Sequence, residues 1–184
     1  MKDSEFIRTK VPMTKEEVRA ISLDKLALHR AKRLLDVGSG TGSVSIQAAK
    51  AYPHLEVVAI ERNPEAVALS KENSLSFNCH NVRIHEGLAP MSVEGQFDAI
   101  FIGGTGGNLA EILEWADHLM SSGGRLVLNF ILLENALGAI ELMEKMSWKD
   151  IEMVSIQASR WTGLGKGHYF KPQNPTIIIS CQKS

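Results

Sequence analysis

Residues 34–49 read LLDVGSGTGSVSIQAA, with the acidic Asp36 two positions ahead of three alternating glycines, Gly38, Gly40 and Gly42. Glycines in a loop let backbone approach a ligand without side chains in the way. The dinucleotide fingerprint G-x-G-x-x-G would need a sixth-position glycine, where this chain carries Ser43. A carboxylate beside the loop would also repel a pyrophosphate. Asp36 suits a ligand that brings an amino group or a sulfonium, with Ser39 and Thr41 between the glycines as further contacts. About 20 positions on comes Glu61, where an acidic residue can accept hydrogen bonds from ribose hydroxyls, with Arg62 beside it. Asn63 then reads as a helix N-cap and Pro64 as the first helical residue.

Two further stretches could do chemistry. FIGGTGGNLAEIL surrounds Thr105 with Gly103, Gly104, Gly106 and Gly107 just before a helix. Such a start presents backbone N–H groups to an anion, or is a turn that admits close helix–sheet packing. It offers no amide–proline–aromatic platform of the kind that holds an exocyclic base amine. RWTGLGKGHYFKPQNP gathers Arg160, Trp161, Lys166, His168, Tyr169, Phe170 and Lys171. Mixed basic and aromatic groups suit a flat polyanion, and equally an interface between subunits. Cys79, His80 and His85 match no zinc spacing, so no metal is expected.

The elements that position these groups alternate. RLLDV, EVVAI, VRIHE, FDAIFI and RLVLNFI read as strands. SVSIQAAKAY, PEAVALSKENSLSF, NLAEILEWADHLM and ENALGAIELMEKM carry apolar residues at helical spacing between them. Thr14 with Glu17, and Met13 with Val18, predict a helix starting at Thr14 through a capping box and a hydrophobic staple. Near the end, DIEMVSIQAS and PTIIISCQ are strand-like with only a loop between them, so they must pair antiparallel. The expectation is an α/β fold with a seven-stranded, mainly parallel sheet whose last strand is antiparallel. That order resembles the Rossmann-like class I methyltransferases that use S-adenosyl-L-methionine. One domain spanning residues 1–184 is expected, with an N-terminal arm and helix over 1–31 and a substrate or oligomer loop over 160–175.

Composition limits the alternatives. A chain of 184 residues with net charge −1 lacks the basic surplus of a general nucleic-acid binder. No apolar run approaches the roughly 18 residues that cross a bilayer, so no membrane partner is expected. MKDSEFIRTK lacks the pattern of a secretory signal, and the two cysteines, Cys79 and Cys181, form no paired motif. A cytoplasmic protein with reduced thiols is expected.

At the level of motifs, VPMTKEEVRA, DVGSGTGSVSIQAA, AIERNPEA, FIGGTGGNL, GGRLVLNFILLEN and GHYFKPQNP together resemble the decarboxylating precorrin methyltransferases of the cobalamin pathway (the CbiT type). The resemblance runs from about Phe6 to Gln182 and implies S-adenosyl-L-methionine as cofactor. It implies methylation of cobalt-precorrin-6B, a tetrapyrrole, at carbon 15 with loss of carbon dioxide from the ring C acetate, in anaerobic vitamin B12 synthesis. It also implies a homotetramer and a separate companion C(5)-methyltransferase. Cofactor contacts carried over are Thr14, the Gly38, Ser39, Gly40, Thr41, Gly42 loop, Glu61 with Arg62, and the HEGLAP segment, where Gly87, Leu88 and Ala89 would border adenine. Substrate contacts would be Gly104, Thr105, Gly106, Gly107, Arg160, Lys166, His168 and Lys171, with His168 or Tyr169 as candidates to move a proton. Three rival readings stay open: a nicotinamide oxidoreductase, a non-catalytic cofactor binder, and a small-molecule or RNA methyltransferase of the same fold.

Overall fold

A computed structural model describes residues 1–184. Five strands follow one another in the first part of the chain: β1 (Arg33–Val37), β2 (Glu56–Glu61), β3 (Val82–Glu86), β4 (Phe97–Ile102) and β5 (Met120–Phe130). The helices are α1 (Glu16–Lys25), α2 (Ser43–Ala51), α3 (Pro64–Ser76), α4 (Leu109–Leu119) and α5 (Leu133–Met143). The chain ends with β6 (Trp148–Ile156), β7 (Ser159–Leu164), β8 (Gly167–Pro172) and β9 (Thr176–Lys183). Seven strands form one sheet in the order β3-β2-β1-β4-β5-β9-β6. β9 runs antiparallel between β5 and β6, and every other pairing is parallel.

Both faces of the sheet are covered, which is why its central strands are apolar without interruption. One face sends Leu35, Val37, Ile60, Ile100 and Leu128 against Ile112, Leu113 and Ala116 of α4 and Ala136, Ala139 and Met143 of α5. The other sends Leu34, Val57, Phe101 and Val127 against Val18 and Leu23 of α1 and Val44, Ile46 and Ala48 of α2. Each fully buried Leu, Ile or Phe contributes about 1.5–3 kcal/mol, so these two layers hold the strand ends in place.

Two local expectations fail. The stretch read as a loop between the last two strands folds into the β7–β8 hairpin, a separate two-stranded sheet pairing Arg160 with Lys171 and Trp161 with Phe170. α1 is capped by Lys15 and not by Thr14, and no side-chain capping bond forms. The reason is competition. The Thr14 carbonyl accepts from the Arg19 guanidinium at 2.6 Å, and Glu17 pairs with Arg160 at 2.7 Å instead of closing a box.

Candidate active site

The order of strands reverses between β1 and β4, and a ligand belongs outside the carboxyl ends at such a point. The two loops that leave there touch. The Gly103 N–H donates to the Val37 carbonyl at 2.9 Å, and a Cβ on Gly38 would stand 2.9 Å from the Gly104 N and O. Gly38 therefore owes its glycine to the neighbouring loop as well as to its φ of +71°. Gly40, at φ +54°, meets the N-terminal arm: a Cβ there would lie 2.8 Å from the Pro12 carbonyl oxygen. Above these loops is a cavity of about 600 Å³, of the size that holds a cofactor or drug-sized ligand.

Glu61 is the hub of its first wall. One carboxylate oxygen accepts from the Gly40 N–H at 2.9 Å and the other from the Asn63 N–H at 2.9 Å. Asn63 caps α3 by accepting from the Glu65 N–H, with Pro64 first in the helix. Next to Glu61, Arg62 forms no ion pair and lies against Gly106: a Cβ on that glycine would meet its guanidinium at 2.9 Å. Gly87, Leu88 and Ala89 form the side beyond β3, and Gly104, Thr105 and Gly106 the side beyond β4.

The remaining wall comes from the arm. Val11, Pro12, Met13, Thr14 and Lys15 line the cavity, and Arg19 holds them there. Its guanidinium is fully buried and donates to the carbonyls of Thr14 and Met1, to the Asp3 carboxylate and to the Gln47 amide oxygen. A buried charge is tolerable only when paired and hydrogen-bonded in this way. Asn73, buried on α3, accepts from the Ile7 N–H and donates to the Ile7 and Thr41 carbonyls, tying the arm to the glycine loop. Neither residue was singled out from sequence. Asn73 did carry a local signal, since an amide inside a helix is unfavourable unless it finds partners.

Of the predicted cofactor residues, Thr14, Gly38, Ser39, Gly40, Glu61, Arg62, Gly87, Leu88 and Ala89 line the cavity, whereas Asp36, Thr41 and Gly42 do not. Asp36 is off the cavity wall, and one of its two carboxylate oxygens has no partner within the chain. Its carboxylate is fully buried and accepts from the backbone N–H and the hydroxyl of Ser45, in the first turn of α2. Burial pushes its pKa up to about 6; the two Ser45 bonds oppose that rise and the Glu61 charge adds to it. Thr41 is buried with its hydroxyl unpartnered, and Gly42 is the N-cap of α2.

The substrate set divides more sharply. Gly104, Thr105 and Gly106 line the cavity, while Gly107, Arg160, Lys166, His168 and Lys171 do not, and neither does the other proton-transfer candidate, Tyr169. Arg160 is engaged with Glu16 at 3.1 Å and Glu17 at 2.7 Å. His168 stacks on Trp161 with ring centroids 4.1 Å apart. Sequence reasoning missed Asn129, near the end of β5, and Gln173, Asn174 and Thr176, just before and at the start of β9, all of which line the cavity. The Asn129 amide is fixed by mutual hydrogen bonds with the Ser22 hydroxyl at 3.0 and 3.2 Å, a pairing across 107 positions. No group of three or more His, Cys, Asp or Glu side chains is arranged to hold a metal.

Known proteins match this arrangement along the whole chain. The family model of the precorrin methyltransferase domain matches residues 5–183. The chain is 52% identical to the cobalt-precorrin-6B C(15)-methyltransferase (decarboxylating) of Salmonella typhimurium strain LT2, over 100% of this chain and 96% of that one. Its fold matches a precorrin-6y C5,15-methyltransferase from Geobacter metallireducens GS-15 with a TM-score of 0.93, at 34% identity over 100% of this chain and 97% of that one. It matches a precorrin 8w decarboxylase from Methanobacterium thermoautotrophicum with a TM-score of 0.91, at 31% identity over 98% of each.

Proposed function

The chain belongs to the precorrin methyltransferase family, and from that premise we propose that it methylates cobalt-precorrin-6B at carbon 15, using S-adenosyl-L-methionine, and releases the ring C acetate carboxyl as carbon dioxide in anaerobic cobalamin synthesis. The observation that carries this reading is the 52% identity over the full chain to a relative bearing that name.

The cavity suits a cationic cofactor without phosphate. The Glu61 carboxylate stands on its wall with Asp36 beneath the same loop, and the buried hydroxyl of Ser39, also on the wall, has no partner within the chain. The backbone of residues 38–40 with Glu61 would hold the amino acid and ribose parts. Leu88, Ala89 and Arg62 would border the adenine, and Thr14 would close the arm side. When bound, S-adenosyl-L-methionine supplies a methyl group on a sulfonium sulfur.

The chain's own residues then orient and exclude water. Val18, Ile112 and Phe130 give the cavity apolar walls, while Asn129, held by Ser22, and Thr105 offer fixed polar groups. Orientation of this kind is worth on the order of 7–11 kcal/mol of barrier. As the acetate carboxylate leaves as carbon dioxide, its bonding electrons pass into the conjugated ring, and a proton taken up there completes the balance.

A homotetramer fits the hairpin. Two strands alone are marginally stable in water, yet β7–β8 exposes Trp161 at 67% and Phe170 at 68%. Packing against other copies would cover them. We place the protein in the cytoplasm, without nucleic-acid or membrane partners, beside a companion C(5)-methyltransferase; no helix is long and apolar enough to cross a membrane. The test is incubation with methyl-labelled S-adenosyl-L-methionine and cobalt-precorrin-6B, followed by mass spectrometry of the pigment. Gain of one labelled methyl with loss of carbon dioxide supports the reading, and an unaltered pigment refutes it.

A further inference from the structure

Beside the cavity, and sharing Ile131 and Asn174 with it, lies a second depression of about 580 Å³ on the outer strands of the sheet. Ile131, Leu133, Met153 and Ile177 form its apolar surface, Ser155 and Asn174 are its polar side chains, and no charged residue lines it. Ile131, Leu133 and Met153 are 70%, 51% and 45% exposed. They are not part of the packing of α5, which buries Ala136, Ala139 and Met143 on its other side. Three large apolar side chains left in water at the mouth of a cavity mark a surface that something covers.

Size and chemistry choose the occupant. A single pocket of 300–1,000 Å³ typically holds one drug-sized ligand, so a cavity of about 600 Å³ that takes the cofactor does not also enclose a tetrapyrrole. The macrocycle needs surface beyond it. Its ring faces are apolar and its carboxylates radiate from the edge. A groove without charges, continuous with the site of methyl transfer, fits the face and leaves the carboxylates to the solvent around it.

We propose that the Ile131–Met153–Ile177 groove seats one face of the tetrapyrrole, with Asn174 at the junction between ring and methyl donor. This rests on the tetrapyrrole reading above and moves the substrate seat from the basic hairpin, none of whose residues lines either depression. The groove orients the ring, so that its placement decides which carbon faces the cavity.

The test titrates the full chain with uroporphyrin, an octacarboxylate porphyrin, by fluorescence, and compares Met153→Lys, Leu133→Asp and Ser155→Trp, whose positions line the groove and not the cofactor cavity. The first two place a charge under the ring, and the third fills the groove without one. The expected result is a loss of porphyrin affinity of roughly tenfold or more in all three, set by the apolar area no longer buried. The affinity for S-adenosyl-L-methionine and the oligomeric state, read by calorimetry and light scattering, stay as in the unsubstituted protein. Equal porphyrin affinity in the variants overturns the proposal, as does failure of the unsubstituted protein to bind any porphyrin. Affinity that falls only together with a change of oligomeric state also overturns it, because a second copy then occupies the groove. Porphyrin bound in the groove with no methylation of cobalt-precorrin-6B supports the seat and removes the proposed reaction instead.

Discussion

Around the ends of β1, β2 and β4, each loop is held by another part of the same chain, whereas the β7–β8 hairpin is held by its own two strands and by Arg160 at its base. In the first region Glu61 fastens the glycine loop, Asn73 and Arg19 fasten the arm, and Gly38 packs on Gly104. In the second, every residue of β8 is exposed, and Arg160 reaches Glu16 and Glu17 on α1. Parallel strands buried on both faces give a frame rigid enough to place a ligand within one subunit. A hairpin that exposes Trp161, Leu164, Tyr169 and Phe170 leaves large apolar side chains uncovered by its own chain.

The largest effect should come from the unfinished region. Phe170→Asp puts a charge on the face that other copies would cover, and we expect light scattering to fall to the mass of one chain. An assembly that survives would break the contrast between the two regions.

Asp36 tests the finished region through pH. Its pKa in the folded protein, about 6, lies above the ordinary 3.8. The folded state therefore binds this proton more tightly than the unfolded state does. Stability from that proton is complete below pH ~4 and is lost as pH rises through ~6, on the order of 3 kcal/mol for a shift of about two units. Asp36→Asn keeps an acceptor for Ser45 without the titration. Urea unfolding across pH 4–7 should show a fall for the unsubstituted protein that the variant lacks; parallel profiles would mean that Asp36 does not titrate in this window.

A smaller change is expected from Glu61→Gln. An amide nitrogen would face one of the two N–H donors from Gly40 and Asn63, and the charge opposite the cofactor is gone. Cofactor affinity should drop by about 2 kcal/mol, roughly thirtyfold. Calorimetry giving an unchanged affinity would remove Glu61 from the site. Last is Gly38→Ala, where a Cβ on a residue at φ +71° presses on the Gly104 backbone. More than about 1 kcal/mol is expected, a fall in Tm of at least about 2–4 °C by calorimetry. No fall would mean that the two loops are less closely packed than the geometry shows.

The same contrast explains what could be read from sequence. Glu61, Asn63 and Pro64 were legible because acidic residue, cap and helix start are neighbours whose chemistry is local. The parallel, helix-covered sheet was legible from alternating strand and helix patterns, and its antiparallel end from a connection without a helix. Asp36 was legible as the acidic residue beside the glycines, but its bonds to Ser45, nine positions away on another element, were not. The start of α1 was misread because Arg19 takes the Thr14 carbonyl and Arg160 takes Glu17. Asn129 was invisible for a similar reason: its partner, Ser22, is 107 positions away. The hairpin hid behind glycines and basic residues that read as loop, since nothing local reports cross-strand pairing between Trp161 and Phe170.

If one chain completes the cofactor site and the hairpin's proposed role is assembly alone, the dissociated Phe170→Asp chain should still bind S-adenosyl-L-methionine. Calorimetry on that chain should give one site per chain with the affinity of the unsubstituted protein. Loss of binding in a chain that is still folded would contradict this, because the cofactor site would then need a residue from a second copy.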